Sequence, residues 1–296
     1  MYKFLDETKS NLAVDEDTGE VTEAKAVIIP IGSRVITPKQ QEAYDELKER
    51  QIKREMRRKI QDELGYFYFV MREHKFGNIS AESAARLIYL CTYLNYNNEF
   101  MLTEKQKMKK SDLQDILGLC TGTTHKFWKE VCDVYISDFG EDGLKLCCSE
   151  IVRGKLSDTT CQYQKVYIES IRNIYRATPP TKHRYLGYIF QLLPYINIEY
   201  NIICENPRET ELDKIKPLKI SEICDILGYD RKNIKRFKNI YKQLVFDYRG
   251  QKERLFTFFS YWNEDANMRT CINPHILYCG SDYRKVEILG AFVQIK

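Results

Sequence analysis

A chain of 296 residues has room for about two domains, and its 43% hydrophobic and 30% charged residues exclude a disordered tail. No apolar run approaches the ~20 residues a bilayer crossing needs, and MYKFLDETKS lacks the order of a secretory signal. A cytoplasmic protein with no membrane partner is therefore expected, its net charge of +4 held in blocks.

Residues 1–24 hold seven acids against two lysines. They read as a short β arm, with a turn at Asp17-Thr18-Gly19 and a strand over Ala26–Pro30. A helix is predicted from Thr37, its cap, to about Leu64, with Pro38 in its first turn and Gln40 completing a capping box. A narrow apolar stripe (Ala43, Leu47, Ile52, Met56, Ile60, Leu64) should pack along one side of it. Its segment 48–59 carries seven bases against two acids, a solvated face or one that meets a polyanion.

Ser80 should cap a largely buried helix, AESAARLIYLCTYL. After a lysine-rich connection comes Ser111-Asp-Leu-Gln-Asp-Ile-Leu-Gly118, then His125-Lys-Phe-Trp-Lys-Glu-Val131. A helix capped by Ser111, a left-handed turn at Gly118 and a second helix make a helix-turn-helix. Val134-Tyr-Ile, Gly140-Glu-Asp-Gly143 and Leu144–Cys148 read as a following hairpin. That order is a winged helix.

The pattern recurs 110 residues later, in Ser221-Glu-Ile-Cys-Asp-Ile-Leu-Gly228 and Arg231–Tyr241. Six of 21 aligned positions are identical between Ser111–Val131 and Ser221–Tyr241. The preceding helices align as Leu87–Tyr96 with Leu186–Tyr195, which puts about eleven extra residues into Glu205–Pro217. The second copy also ends in strands, Leu255–Ser260 and Met268–Asn273, with a turn near Asn263–Asn267. The fold class expected is mainly α with small β wings (α+β). Its domains are 1–64 (β arm and basic helix), 65–155 (first winged helix) and 156–296 (second winged helix), the copies joined near 151–178.

In the second copy Ile234, Phe237, Tyr241 and Leu244 share a core face. The opposite face offers Lys232, Lys235, Arg236, Asn239 and Lys242, with Arg231 and Asn233 at its amino end. Arginine, lysine and asparagine match the acceptors and donors of base edges. A wing from Tyr248 to Arg254 adds Arg249, Lys252 and Arg254 for flanking phosphates. The first copy shows Thr123, Thr124, His125, Lys126 and Lys129, with an acidic wing (Asp138, Glu141, Asp142) that phosphate repels. Most of the 21 tyrosines should be core, and Trp128 and Trp262 structural or at a domain contact.

The duplicated layout over roughly 65–290 resembles plasmid and phage replication initiators with two winged helices per chain. The run KSDLQDILGLCTGTTHKFWKEV resembles MarR-like regulators of Gram-positive phages and mobile elements. The resemblance implies sequence-specific double-stranded DNA binding, as repressor or as initiator. A homodimer, or a host replication or transcription protein docked by an adaptor, are the further partners. Ten cysteines without a CxxC pair and four scattered histidines (His74, His125, His183, His275) predict free buried thiols and no metal. With no GxxxxGK or GxSxG either, no catalytic residue, no cofactor and no enzyme is expected.

Overall fold

The computed structural model describes residues 11–14, 21–24, 38–74, 76–156, 162–259, 268–289 and 292–293. The chain divides into two compact units, Met1–Met56 and Arg57–Lys296. The described residues form an α+β protein of helices and small antiparallel sheets.

In the first unit β1 (Asn11–Val14) pairs antiparallel with β2 (Val21–Ala24), Asn11 opposite Ala24. The expected turn at Asp17–Gly19 and the strand at Ala26–Pro30 lie outside the described residues, as does the helix cap Thr37. Helix α1 (Pro38–Leu64) runs as predicted, but its stripe does not pack along its length. Tyr44, Leu47, Ile52 and Met56 are exposed, and only Ile60 and Leu64 are buried. The five-residue step from Leu47 to Ile52 turns the apolar positions off one face, and no single stripe survives. Pairs at i,i+4 such as Glu46–Arg50 and Glu49–Lys53, both 3.3 Å, support the exposed helix instead.

The second unit runs through two series of elements. The first is β3 (Phe67–Met71), α2 (Ala81–Leu90), α3 (Leu113–Leu117), α4 (Thr121–Val131), β4 (Ile136–Asp138), β5 (Leu144–Leu146) and β6 (Ile151–Val152). The second is β7 (Tyr163–Tyr167), α5 (Ile168–Ala177), α6 (His183–Gln191), α7 (Ile220–Ile226), α8 (Ile234–Gln243), β8 (Val245–Tyr248) and β9 (Gln251–Arg254). It continues through β10 (Phe256–Phe259), β11 (Arg269–Ile272) and β12 (Leu277–Tyr278), with α9 (Arg284–Leu289) after it. Each series starts on a strand and returns to pair with that strand; the first passes three helices and one hairpin, the second four helices and two antiparallel strand pairs.

β3 and β7 then pair with each other, Phe67 opposite Tyr167 and Met71 opposite Tyr163. The sheet order β12-β7-β3-β6 consequently reads the same from either edge. The copies share one sheet and one hydrophobic core, with Leu90 and Phe127 of one and Phe190 and Phe237 of the other in a single cluster. The stretch 151–178, expected as a connection, instead carries β6, β7 and α5. Alternating Gln164 and Val166 are buried in β7, and Ile171, Ile174 and Tyr175 in α5, so these residues are core.

The structure also corrects the alignment of the copies. Asn95 and Asn197 do the same work: each side-chain oxygen accepts two backbone N–H groups of the turn that follows. Asn98, three residues after Asn95, and Asn201, four after Asn197, both adopt positive φ, at 59° and 50°. The helices therefore correspond three residues, about one turn, away from the match Leu87/Leu186. A one-turn slip keeps the same face apolar, so periodicity alone does not distinguish the two registers. Fewer of the extra residues thus fall in Glu205–Pro217 than the sequence alignment implies. At Gly187 the packing of α6 on α2 is so close that a Cβ would stand 1.7 Å from the Ala81 carbonyl oxygen.

Candidate nucleic-acid interface

The α7–turn–α8 segment is built by local hydrogen bonds. The Glu222 carboxylate accepts the Lys219 N–H at 2.6 Å, which satisfies one free donor at the start of α7. Gly228 turns the chain at φ 62°, and Asp230 accepts the Lys232 N–H at 2.9 Å. One 3-10 turn, Arg231–Asn233, leads into α8. The first copy repeats this scheme: the Asp112 carboxylate accepts the Lys109 N–H at 2.8 Å and Gly118 takes φ 60°. Ser111 is therefore not the cap; it lies inside the 3-10 turn Lys110–Asp112. Asp112/Glu222 is the signal, visible in the sequence only as an acidic pair.

Phe237, Tyr241 and Leu244 are buried as predicted, and Ile234 is half-buried. Lys232, Asn233, Lys235, Arg236, Asn239 and Lys242 are exposed. Among the described residues Lys232, Lys235, Arg236 and Lys242 form no ion pair, so their charge is uncompensated locally. Arg231 differs. Its guanidinium makes two bonds to the Asp225 carboxylate, one of them 2.6 Å, and holds that carboxyl below its ordinary range. Lys238, absent from the sequence prediction, joins the exposed arc at its flank, with Nζ 3.8 Å from Met268 Sδ.

The predicted basic wing is a tight hairpin. Arg249 and Gly250 alone connect β8 to β9, at φ 50° and 83°, the two left-handed positions such a two-residue turn requires. Arg249 donates to the Asp62 carbonyl at 3.2 Å and lies 5.6 Å over the Tyr248 ring. Lys252 faces Asp247 across the strands at 3.7 Å, and Arg254 is half-buried. These exposed contacts are weak, so a phosphate can replace the Asp247 partner.

In the first copy His125, Lys126 and Lys129 are exposed on α4, while Thr123 and Thr124 are half-buried. Both hydroxyls are engaged with Cys120, Thr123 at its sulfur (3.2 Å) and Thr124 donating to its carbonyl (3.1 Å). Strand β4 begins at Ile136, after a turn at Asp133–Tyr135 where a strand from Val134 was predicted. A 3-10 turn, Gly140–Asp142, joins it to β5. Glu141 pairs with Lys109 at 2.5 Å, and among the described residues Asp138, which accepts the Gly140 N–H at 2.9 Å, and Asp142 form no ion pair. Phe139 is exposed beside them.

Cys91, Cys204, Cys224 and Cys271 are buried as expected, whereas Cys120 and Cys147 are exposed. Tyr68, Tyr167, Tyr241 and Tyr278 are core residues, and Trp128 is buried under Lys110, 4.9 Å from its ring centroid. Trp262 lies outside the described residues.

No protein family, curated protein or solved structure matches this chain.

Proposed function

We propose that the chain is a tandem winged-helix protein that binds double-stranded DNA in a sequence-dependent way, as a repressor or replication initiator of a mobile element. The observation that carries this reading is α8. Lys235, Arg236 and Lys242, with Lys232 in the turn before them, stand exposed and without carboxylate partners among the described residues, on a helix whose other face is core. A chain of net charge +4 that concentrates bare cations on one helix after a turn is suited to a polyanion with readable edges. Asn239 between them supplies the donor–acceptor pair that matches adenine. α8 is the principal reader, with Arg236 and Asn239 at bases and Lys232 and Lys252 at phosphates. α4 contributes less through His125, Lys126 and Lys129, since the acids of its wing face the same polyanion. No helix among the described residues is long and apolar enough to cross a membrane, and the proposed site of action is the cytoplasm.

A titration of fluorescent duplexes drawn from the encoding genome, at several salt concentrations, tests it. Duplex binding whose log K falls at about −0.9 per phosphate contact supports the reading, and a flat salt response rejects it.

Phe139, 55% exposed between Asp138 and the Glu141-Asp142 pair, favours a second role for the first copy. An acidic wing with an exposed ring suits a basic, apolar patch on a host replication or transcription protein. Weak retention on heparin together with a flat salt response would favour that adaptor reading over DNA.

A further inference from the structure

A groove of about 370 Å³ lies against α8, bounded by β9 and β10. Lys238, Lys242 and Arg254 line it together with Thr257, Phe258 and Phe259. Lys238 and Lys242 are one turn apart on the same flank of α8, so both ammonium groups border one opening. Phe258 and Phe259 are half-buried, and partly covered rings of this kind can offer a stacking surface.

Three cations, Lys238, Lys242 and Arg254, stand with half-buried rings around a volume within the range of small-molecule sites, and this pairing fits one chemistry. That chemistry is a phosphate joined to a flat heteroaromatic ring.

We propose that this groove binds a single nucleotide unit, with the phosphate at Lys238 and Lys242 and the base against Phe258. The unit is either a free nucleotide or a nucleotide of a single DNA strand displaced beside α8. Only the second source rests on the DNA-binding reading.

The test uses the full chain and 2-aminopurine fluorescence, which falls when the base stacks. One arm is 2-aminopurine deoxyribonucleoside 5′-monophosphate, another a single-stranded dodecamer carrying one 2-aminopurine, and inorganic phosphate is the competitor. Quenching by the wild type is expected, weakened about tenfold by Phe258→Leu, the size of one lost stacking contact. Phe258→Leu keeps the apolar packing, and Lys242→Gln, on the surface, should weaken binding several-fold without touching the core. Quenching of the mononucleotide identifies a free nucleotide as ligand; quenching of the dodecamer alone identifies a DNA strand. Inorganic phosphate competing as well as the nucleotide, or wild-type affinity in Phe258→Leu, overturns the proposal. Absent quenching in both arms overturns it even if duplex DNA binds. Quenching without duplex binding leaves the groove standing and removes the duplex-binding reading instead.

Discussion

His275 Nδ1 stands 2.8 Å from Glu253 Oε2, both side chains buried, and its Nε2 stands 3.0 Å from Glu287 Oε1. One imidazole thus ties the second hairpin strand, β9, to the C-terminal helix α9. The ring stacks on Tyr248 at 3.8 Å, whose hydroxyl donates to the Glu63 carbonyl at 2.7 Å. Tyr283 donates to the Glu63 carboxylate at 2.8 Å. Asn273 donates to the same Glu253 oxygen as His275, also at 2.8 Å. The C-terminal turn of α1, the hairpin and α9 therefore meet at one buried imidazole.

Burial alone lowers the basicity of His275, but its bonds to Glu253 and Glu287 and their charges outweigh that and raise it above the ordinary histidine value. A group whose folded value is raised stabilises the fold fully below its unfolded value, about 6.5. That stabilisation is lost as pH rises through the higher folded value. Urea unfolding should accordingly show lower stability at pH 8.5 than at pH 6, and His275→Gln should flatten the difference. His275→Ala leaves a buried carboxylate uncompensated and should cost about 3 kcal/mol at pH 6. Equal slopes with pH in wild type and His275→Gln would remove His275 as the source.

Gly187→Ala should be among the most damaging single changes. Its Cβ meets the Ala81 carbonyl in the backbone of α2, which cannot swing aside, so a loss of at least ~3 kcal/mol is expected. Gly228→Ala offers the control. No atom lies within 4 Å of that Cβ, and only the left-handed backbone at φ 62° is strained, so about 1 kcal/mol should be lost. Because one core spans both copies, denaturant unfolding of Gly187→Ala should remain a single transition followed by tryptophan fluorescence and circular dichroism alike. Two separated transitions would mean the copies unfold independently.

What was legible in the sequence was local. Ser80 does cap α2, accepting the Ser83 N–H at 3.2 Å, and Gly118 and Gly228 take the left-handed turns their places demand. These features need only neighbours a few residues away. The central sheet needs partners nearly a hundred residues apart, and β6 and β12 are two residues long, too short for any alternation to show. α5 was hidden in a stretch taken for a connection, although its apolar residues at 168, 171, 174 and 175 follow the helical period. On α8 the buried Phe237, Tyr241 and Leu244 and the exposed Arg236 and Asn239 match their reading, whereas Thr123, Thr124 and Arg254, read as exposed, are half-buried, and commitments are not legible at all. Nothing in the spacing of Arg231, Arg249 and Lys252 says that each already has a partner. The His275 cluster was invisible for the same reason: Glu253 lies in a basic segment and gains meaning only when the hairpin folds onto α9.

Those commitments grade the expected effects of substitutions on DNA binding. Arg236→Ala and Asn239→Ala should relax sequence preference, at about 1–3 kcal/mol for a lost bidentate base contact. Arg231→Ala should cost less, because its guanidinium already serves Asp225. Lys232→Ala should weaken all sequences alike and reduce the salt slope by about one. Lys126→Ala and Lys129→Ala should matter less than changes in α8. Competition titrations with specific and scrambled duplexes separate these outcomes, and greater losses from the α4 changes would reverse the proposed roles of the copies.

The final prediction concerns the shape of the binding site. The sheet order β12-β7-β3-β6 relates the copies by an approximate two-fold, as the two halves of a dimeric reader are related. Two such heads on one side of B-DNA engage boxes about one helical turn, ~34–36 Å, apart. The sheet order is symmetric but the exposed residues of the two helices are not: α8 presents Arg236 and Asn239 where α4 presents Lys126 and Lys129. Hydroxyl-radical footprinting should therefore find one strongly protected box and a weaker neighbour about 10 base pairs away, without palindromic base sequence. Sedimentation of the same complex should give one chain per site. A palindromic footprint with two chains would show that the chain dimerises and that a single copy in each reads bases.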